Sequence, residues 1–188
     1  MGLKSDLIRV SSSNLIVLIS SIINGLVLPY ILSIDNFASL KTYTLFASFI
    51  GFLHFGFVDG INIKYGGFSE MDVDRKEFKL FHDFFLLFQF IILFVVIGVG
   101  FIFQNKIILL ISLAVLPVNL QSFFLFYYQA LGSFKKYSKA TVIAPLTSIS
   151  FTLVLVLIGV KEFQYYVLSN IMGFVLSAVY LEATFQNL

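Results

Sequence analysis

Few side chains in this 188-residue chain have the type and spacing to do chemistry, and their surroundings narrow what that chemistry is. Asp59 closes an apolar run and precedes Gly60-Ile61-Asn62-Ile63-Lys64. A carboxylate at the centre of a bilayer costs about 2.5–3.5 kcal/mol on insertion scales. Asp59 is therefore expected at a membrane mouth within reach of Asn62 or Lys64, or as a contact for substrate or a coupling cation. His54 lies about one helical turn deeper and could titrate. His54 and His82 are the only histidines and there is no cysteine, which argues against a metal cage, a disulfide or a thiol nucleophile. No nucleophile–base pair, phosphate-binding glycine loop or metal-ligand cluster is visible, so no enzyme activity, metal or cofactor is expected. What remains is recognition by polar groups set in apolar surroundings.

Those groups fall into stripes at helical spacing. Ser13, Ser20 and Asn24 form one, with Asn14, Ser21 and Gly25 beside it. Others are Thr44, Ser48, Gly51 and Phe55; Asn119, Ser122, Phe126 and Gln129; Thr141, Pro145, Ser148 and Thr152; and Tyr166, Asn170, Gly173, Ser177 and Tyr180. Such stripes serve either as close-packing seams between helices or as the lining of a hydrated cavity. On the cavity reading, Asn24, Ser48, Asp59, Asn62, Asn119, Ser148 and Asn170 are the candidate lining residues. Tyr166 and Tyr180 could stack on sugar rings. Pro117 and Pro145 lie inside apolar segments, where each can bend a helix.

The elements that must position these residues follow from composition. Hydrophobic residues make up 59% of the chain and charged residues 12%, about half the charge of a soluble domain. The mean hydropathy is +0.98. Neither a disordered chain nor a water-soluble globule fits. Six apolar segments, 11–33, 40–61, 83–103, 107–130, 139–160 and 163–183, each approach the length of a membrane-spanning helix. Polar breaks such as Gln104-Asn105-Lys106 and Lys161-Glu162 imply antiparallel hairpins, and Gly66-Gly67 reads as a loop break. The expected fold is an all-α bundle of six transmembrane helices. The third segment, broken only by Gln89, has no small-polar face and is expected to be the most lipid-exposed. The longest loop is expected to carry a short helix capped by Ser69 or Asp72, with Arg75, Lys76 and Lys79 at the headgroup level. The first apolar stretch is too long for a signal peptide, and Asp6 breaks a myristoylation pattern.

Basic residues set the orientation. Lys4, Arg9, Lys64, Arg75, Lys76, Lys79, Lys135, Lys136 and Lys139 fall on one side, and only Lys41, Lys106 and Lys161 on the other. The positive-inside rule then places both termini in the cytoplasm. A net charge of +2 is too small to imply nucleic acid as a partner. Lys64, Lys135 and Lys136 lie among the inside-facing basic residues.

Three stretches carry a resemblance. Asn24-Gly25-Leu26-Val27-Leu28-Pro29-Tyr30-Ile31-Leu32-Ser33 resembles the exit of the first span in polysaccharide-repeat-unit flippases. The stretch from Phe55 to Gly67, which holds Asp59, is similar to the end of their second span. The stretch from Tyr128 to Tyr137 is similar to their fourth-to-fifth loop. These flippases belong to the superfamily of multidrug-and-toxin exporters and lipid II flippases. The chain departs from the lipid II branch, having no basic residue between Arg9 and Lys41. The resemblance covers nearly the whole chain and implies the N-terminal lobe of a two-lobe, V-shaped transporter. It also implies a bacterial plasma-membrane location and passage of undecaprenyl-diphosphate-linked oligosaccharide by alternating access, coupled or not to a cation or proton gradient. The implied partners are the bilayer, the lipid-linked oligosaccharide, and a second lobe or polysaccharide assembly proteins. The resemblance also implies Lys64, Lys135 and Lys136 as candidates to attract a diphosphate at the cytoplasmic entrance. On that reading 188 residues is about half a transporter. The alternatives are a cation-coupled drug or metabolite exporter of the same fold and a non-transporting membrane scaffold.

Overall fold

The computed structural model describes residues 3–186, and the regular structure among them is entirely helical. The helices are α1 (Leu3–Ile31), α2 (Ile34–Ala47), α3 (Phe57–Tyr65), α4 (Arg75–Ile102), α5 (Lys106–Ala130), α6 (Phe134–Leu157) and α7 (Phe163–Gln186), with a 3-10 turn at Ile50–His54 between α2 and α3. Five helices are long and apolar enough to cross a membrane, or six crossings if the bent pair Ile34–His54 and Phe57–Tyr65 counts as one. The chain is thus a multi-pass helical membrane protein.

Helix ends follow local capping chemistry. Asn105 caps α5 by accepting from the Ile107 and Ile108 N–H groups, which makes Gln104-Asn105-Lys106 a tight turn. Asp74 caps α4 by accepting from the N–H groups of Lys76 and Glu77. No separate loop helix precedes it. Ser69 and Asp72 instead close a turn, with the Ser69 N–H and hydroxyl both donating to the Asp72 carboxylate. The expected short helix is the first two turns of α4 itself.

The second apolar segment is not the single helix expected over 40–61. Its parts are bent by 54°. The break sits where Phe55 and Gly56 both adopt left-handed backbone angles, φ 48° and 77°. That geometry suits glycine and is costly for phenylalanine. The Gly56 N–H donates to Nδ1 of His54, which stabilises the bend locally. The buried Gln89 on α4 donates to the Leu53 carbonyl and so holds the 3-10 turn against the bundle. Thr44, Ser48, Gly51 and Phe55 therefore do not form one helical face.

α5 is the central helix. Half of its most apolar stretch is buried, against 17% for α4 and 11% for α1. It packs against α3, α4 and α7, while α6 and α7 form the other principal pair and α1 leans on α6. Thus α1, and not the third span, exposes most surface, because α6 is its one substantial partner. Many of the 24 phenylalanines serve packing. Phe78 stacks on Tyr127 with ring centroids 4.0 Å apart, and Phe85 stacks on Phe123 at 5.0 Å. At Gly173 a Cβ would run into the Ala144 backbone carbonyl, so glycine permits the close α6–α7 crossing. Pro117 and Pro145 both lie within continuous helices.

Candidate functional site

A groove opens between α1 and α2 on one side and α6 and α7 on the other. Two adjoining hollows of about 340 and 320 Å³ share Ser21, Asn24, Ser148 and Asn170. Along α1 it runs from Val17 to Leu28, about 16 Å at the helical rise. Its polar lining adds Ser20, Thr44, Gln121, Thr141 and Thr152, and its single charged residue is Lys41. The Lys41 ammonium lies 5.1 Å from the Phe37 ring centroid, a cation–π contact at the end of the groove. The carbonyl oxygen of the Asn24 side chain is buried and has no hydrogen-bond partner among the described residues. Nearby polar groups are already committed: the Ser169 hydroxyl donates to the Ser148 carbonyl and pairs with Thr152, and Ser20 donates to the Pro145 carbonyl. With the Ser20, Ser21, Thr44 and Thr141 hydroxyl hydrogens spent on backbone carbonyls, those side chains can still accept, while the Asn24 and Asn170 amides can both donate and accept.

Of the candidate lining residues, Asn24, Ser148 and Asn170 meet here. The other four lie elsewhere. Ser48 ends α2, exposed, with its hydroxyl bonded to the Leu45 carbonyl. Asp59 is exposed in the first turn of α3, whose Val58, Ile61 and Tyr65 face the core. Among the described residues Asp59 makes no ion pair or hydrogen bond, and Lys64 turns instead to Glu77 at 2.5 Å. Asn62, on the same short helix, is half-buried outside the groove. Asn119 is fully buried and donates to Gln89 Oε1 at 2.7 Å, which makes it a packing residue of the α4–α5 interface. Other stripes split in the same way. Gln121 donates to the Ser177 hydroxyl, and both groups reach the Ala140 carbonyl, tying α5, α6 and α7 together. Tyr166 lines the groove but spends its hydroxyl on the Val160 carbonyl.

A second concentration of polar groups lies at the end where α4 begins and α5 and α7 finish. A hollow of about 410 Å³ there is lined by Glu70, Arg75, Lys79, His82, Asp83 and Glu182, together with Tyr127, Tyr128 and other aromatic or apolar side chains. His82 is buried, with Nε2 2.6 Å from Glu182 and Nδ1 3.2 Å from Asp83. Nothing in the spacing of His82 and Glu182 joins them. The available signal was one ionisable group at the end of each of two apolar segments on the same side of the membrane. Of the three lysines expected at a diphosphate entrance, Lys136 pairs with Glu70 at 2.8 Å and Lys64 with Glu77, while Lys135 is exposed. Burial would raise the Glu70 carboxyl, but hydrogen bonds from Lys136 and Ser133 and the Lys136 charge outweigh it and hold the group below its ordinary value. The Ser69 hydroxyl and N–H likewise lower Asp72.

Fold and surface together define the class: a polytopic helical membrane protein with a polar groove along one side and a charged hollow at one end. Comparison with protein-family models, with curated proteins and with solved structures returns no match.

Proposed function

We propose that the chain is one lobe of an alternating-access transporter in the bacterial plasma membrane, moving undecaprenyl-diphosphate-linked oligosaccharide from the cytoplasmic to the outer leaflet. The carrying observation is the groove of Asn24, Ser148 and Asn170, an amide- and hydroxyl-lined strip on an otherwise apolar helical surface. A glycan is a dense array of hydroxyls, and side chains that both donate and accept match it without fixing charge. Lys41 is the one charge in the lining, and no carboxylate is among those residues, so the groove favours a neutral polyhydroxylated cargo over a cationic drug. The bent second span adds a broken helix of the kind found beside transporter passages. The motif resemblance to repeat-unit flippases suggests the lipid carrier, and the basic loops support a cytoplasmic position for both termini.

The test uses inverted membrane vesicles from the cells that make the protein, loaded with labelled lipid-linked oligosaccharide in the outer leaflet. Label should move to the lumenal leaflet, and depletion of the protein, or the Asn24→Leu/Asn170→Leu pair at equal abundance, should abolish that movement. Movement unchanged by depletion rejects the assignment. Cation-driven uptake of small drugs into the lumen in its place would mark an exporter. Loss of surface polymer with intact flipping would mark an assembly scaffold.

A further inference from the structure

The charged hollow is not used by this reading, and its chemistry points to a different ligand. Its charges are of both signs and are not all satisfied internally. Glu70 is taken by Lys136 and Ser133. Arg75 and Lys79, both exposed on the first turns of α4, have no ion-pair partner among the described residues. One to two turns further along α4, His82 stands between Asp83 and the α7 residue Glu182. Each ring nitrogen faces a carboxylate oxygen, and ionised carboxylates only accept, so the arrangement is complete with a doubly protonated ring. The triad then keeps one net negative charge beside two cations that have no ion-pair partner among the described residues. Tyr128 also lines the hollow. It is 1% exposed, and its hydroxyl has no partner among the described residues.

A second feature fixes the kind of molecule. Directly along the α5–α7 seam lies an apolar furrow of about 420 Å³, lined by Leu116, Pro117, Leu120, Val175, Ala178 and Val179. It shares Glu182 with the hollow, so the charged pocket and the furrow meet end to end. The seam runs from the chain's charged rim into its apolar belt, the direction in which a phospholipid lies.

We propose that this composite site binds one zwitterionic amino-phospholipid of the surrounding bilayer. Its phosphate sits on Arg75 and Lys79, its primary ammonium donates to Glu182 and Asp83, and an acyl chain fills the α5–α7 furrow. An anionic headgroup without an amine would leave the net negative charge of the His82–Asp83–Glu182 triad unmatched. A quaternary ammonium has no N–H to give them. The inference rests on the chain spanning a bilayer and is independent of the transported cargo.

The experiment is lipid retention. The chain is reconstituted in bilayers of equal ethanolamine, glycerol and choline phospholipids, extracted gently, and its retained lipid identified by native mass spectrometry. The expected result is one lipid per chain, with the ethanolamine phospholipid retained roughly tenfold over either of the other two. Arg75→Gln/Lys79→Gln, at exposed positions, and Glu182→Gln should each return the retained lipid to bulk composition. Val179→Trp, which plugs the furrow from its exposed side, should reduce retention, and soluble glycerophosphoethanolamine should fail to displace the lipid. Helicity and monodispersity of the Arg75/Lys79 and Val179 variants guard against unfolding. Enrichment of the glycerol or choline lipid, no enrichment, or enrichment that survives these substitutions overturns the proposal. Displacement by the soluble headgroup overturns the furrow's part in it.

Discussion

The buried amide pair Gln89–Asn119 makes a quantitative prediction. Gln89 makes two bonds: its Oε1 accepts from Asn119 at 2.7 Å, and its Nε2 donates to the Leu53 carbonyl at 3.3 Å. Asn119 makes only the first, and its own Oδ1 is already unpartnered. Interhelical side-chain bonds in membrane proteins average about 0.6 kcal/mol and reach about 1.7. Gln89→Leu removes two and should cost about 1–3 kcal/mol. Asn119→Leu removes one, discards an unsatisfied oxygen as well, and should cost about half as much. The double variant closes a cycle whose coupling should be about 0.6–1.7 kcal/mol. The assay is unfolding in mixed micelles of rising denaturing-detergent fraction, followed by far-UV circular dichroism. Gln89→Leu alone should also speed amide exchange across residues 50–56, about fivefold for each kcal/mol of local stability lost. If Asn119→Leu costs as much as Gln89→Leu, or the coupling lies below about 0.3 kcal/mol, the reasoning fails.

Gly173→Ala should destabilise by about 1–3 kcal/mol, because the added methyl meets the Ala144 carbonyl, whereas Gly98→Ala, with open space around it, should be neutral or stabilising by up to about 1 kcal/mol in the same unfolding assay. His82→Leu strands the Glu182 carboxylate, whose side chain is 23% exposed, and should cost about 1–3 kcal/mol, most of it recovered in His82→Leu/Glu182→Leu. The Glu70–Lys136 bridge is half-exposed and should contribute at most about 1 kcal/mol. Because the folded Glu70 value is lowered, that contribution is present above the ordinary value of 4.5 and is lost as pH falls through the folded one. Stability measured from pH 7 to 3 should fall less in Glu70→Gln than in the parent.

The long apolar segments were legible because hydrocarbon demands about 20 apolar residues whatever the tertiary context. The first and third became helices that begin eight residues before the apolar segments, at Leu3 and, after the Asp74 cap, at Arg75; the fifth begins five residues early at Phe134, and the fourth and sixth agree within three residues. The break after Phe55 was invisible to hydropathy, which reads side chains and not backbone angles. The groove residues Asn24, Ser148 and Asn170 were recoverable from helical spacing. Asn119 looked equally promising by the same measure, yet a second amide, Gln89, lies opposite and the two satisfy each other. A single sequence does not say which polar residue on one helix meets which on another. Counting lysines and arginines gave an orientation but not the carboxylates, Glu70 and Glu77, that neutralise two of them.

The bent second segment also bears on how the protein reaches the membrane. At 1.5 Å per residue, the 14 residues of α2 extend about 21 Å and the nine of α3 about 14 Å, each short of a hydrocarbon core of about 30 Å. As a nascent segment, this stretch presents a broken helix before the residues that cover it exist. The Leu53 carbonyl waits for Gln89, and the core face of α3 waits for Phe123 and Tyr127. Integration of the second segment is therefore completed only after α4 and α5 have been synthesised. A chain truncated near residue 70 and released from the ribosome should sit in the bilayer in a different, extractable state.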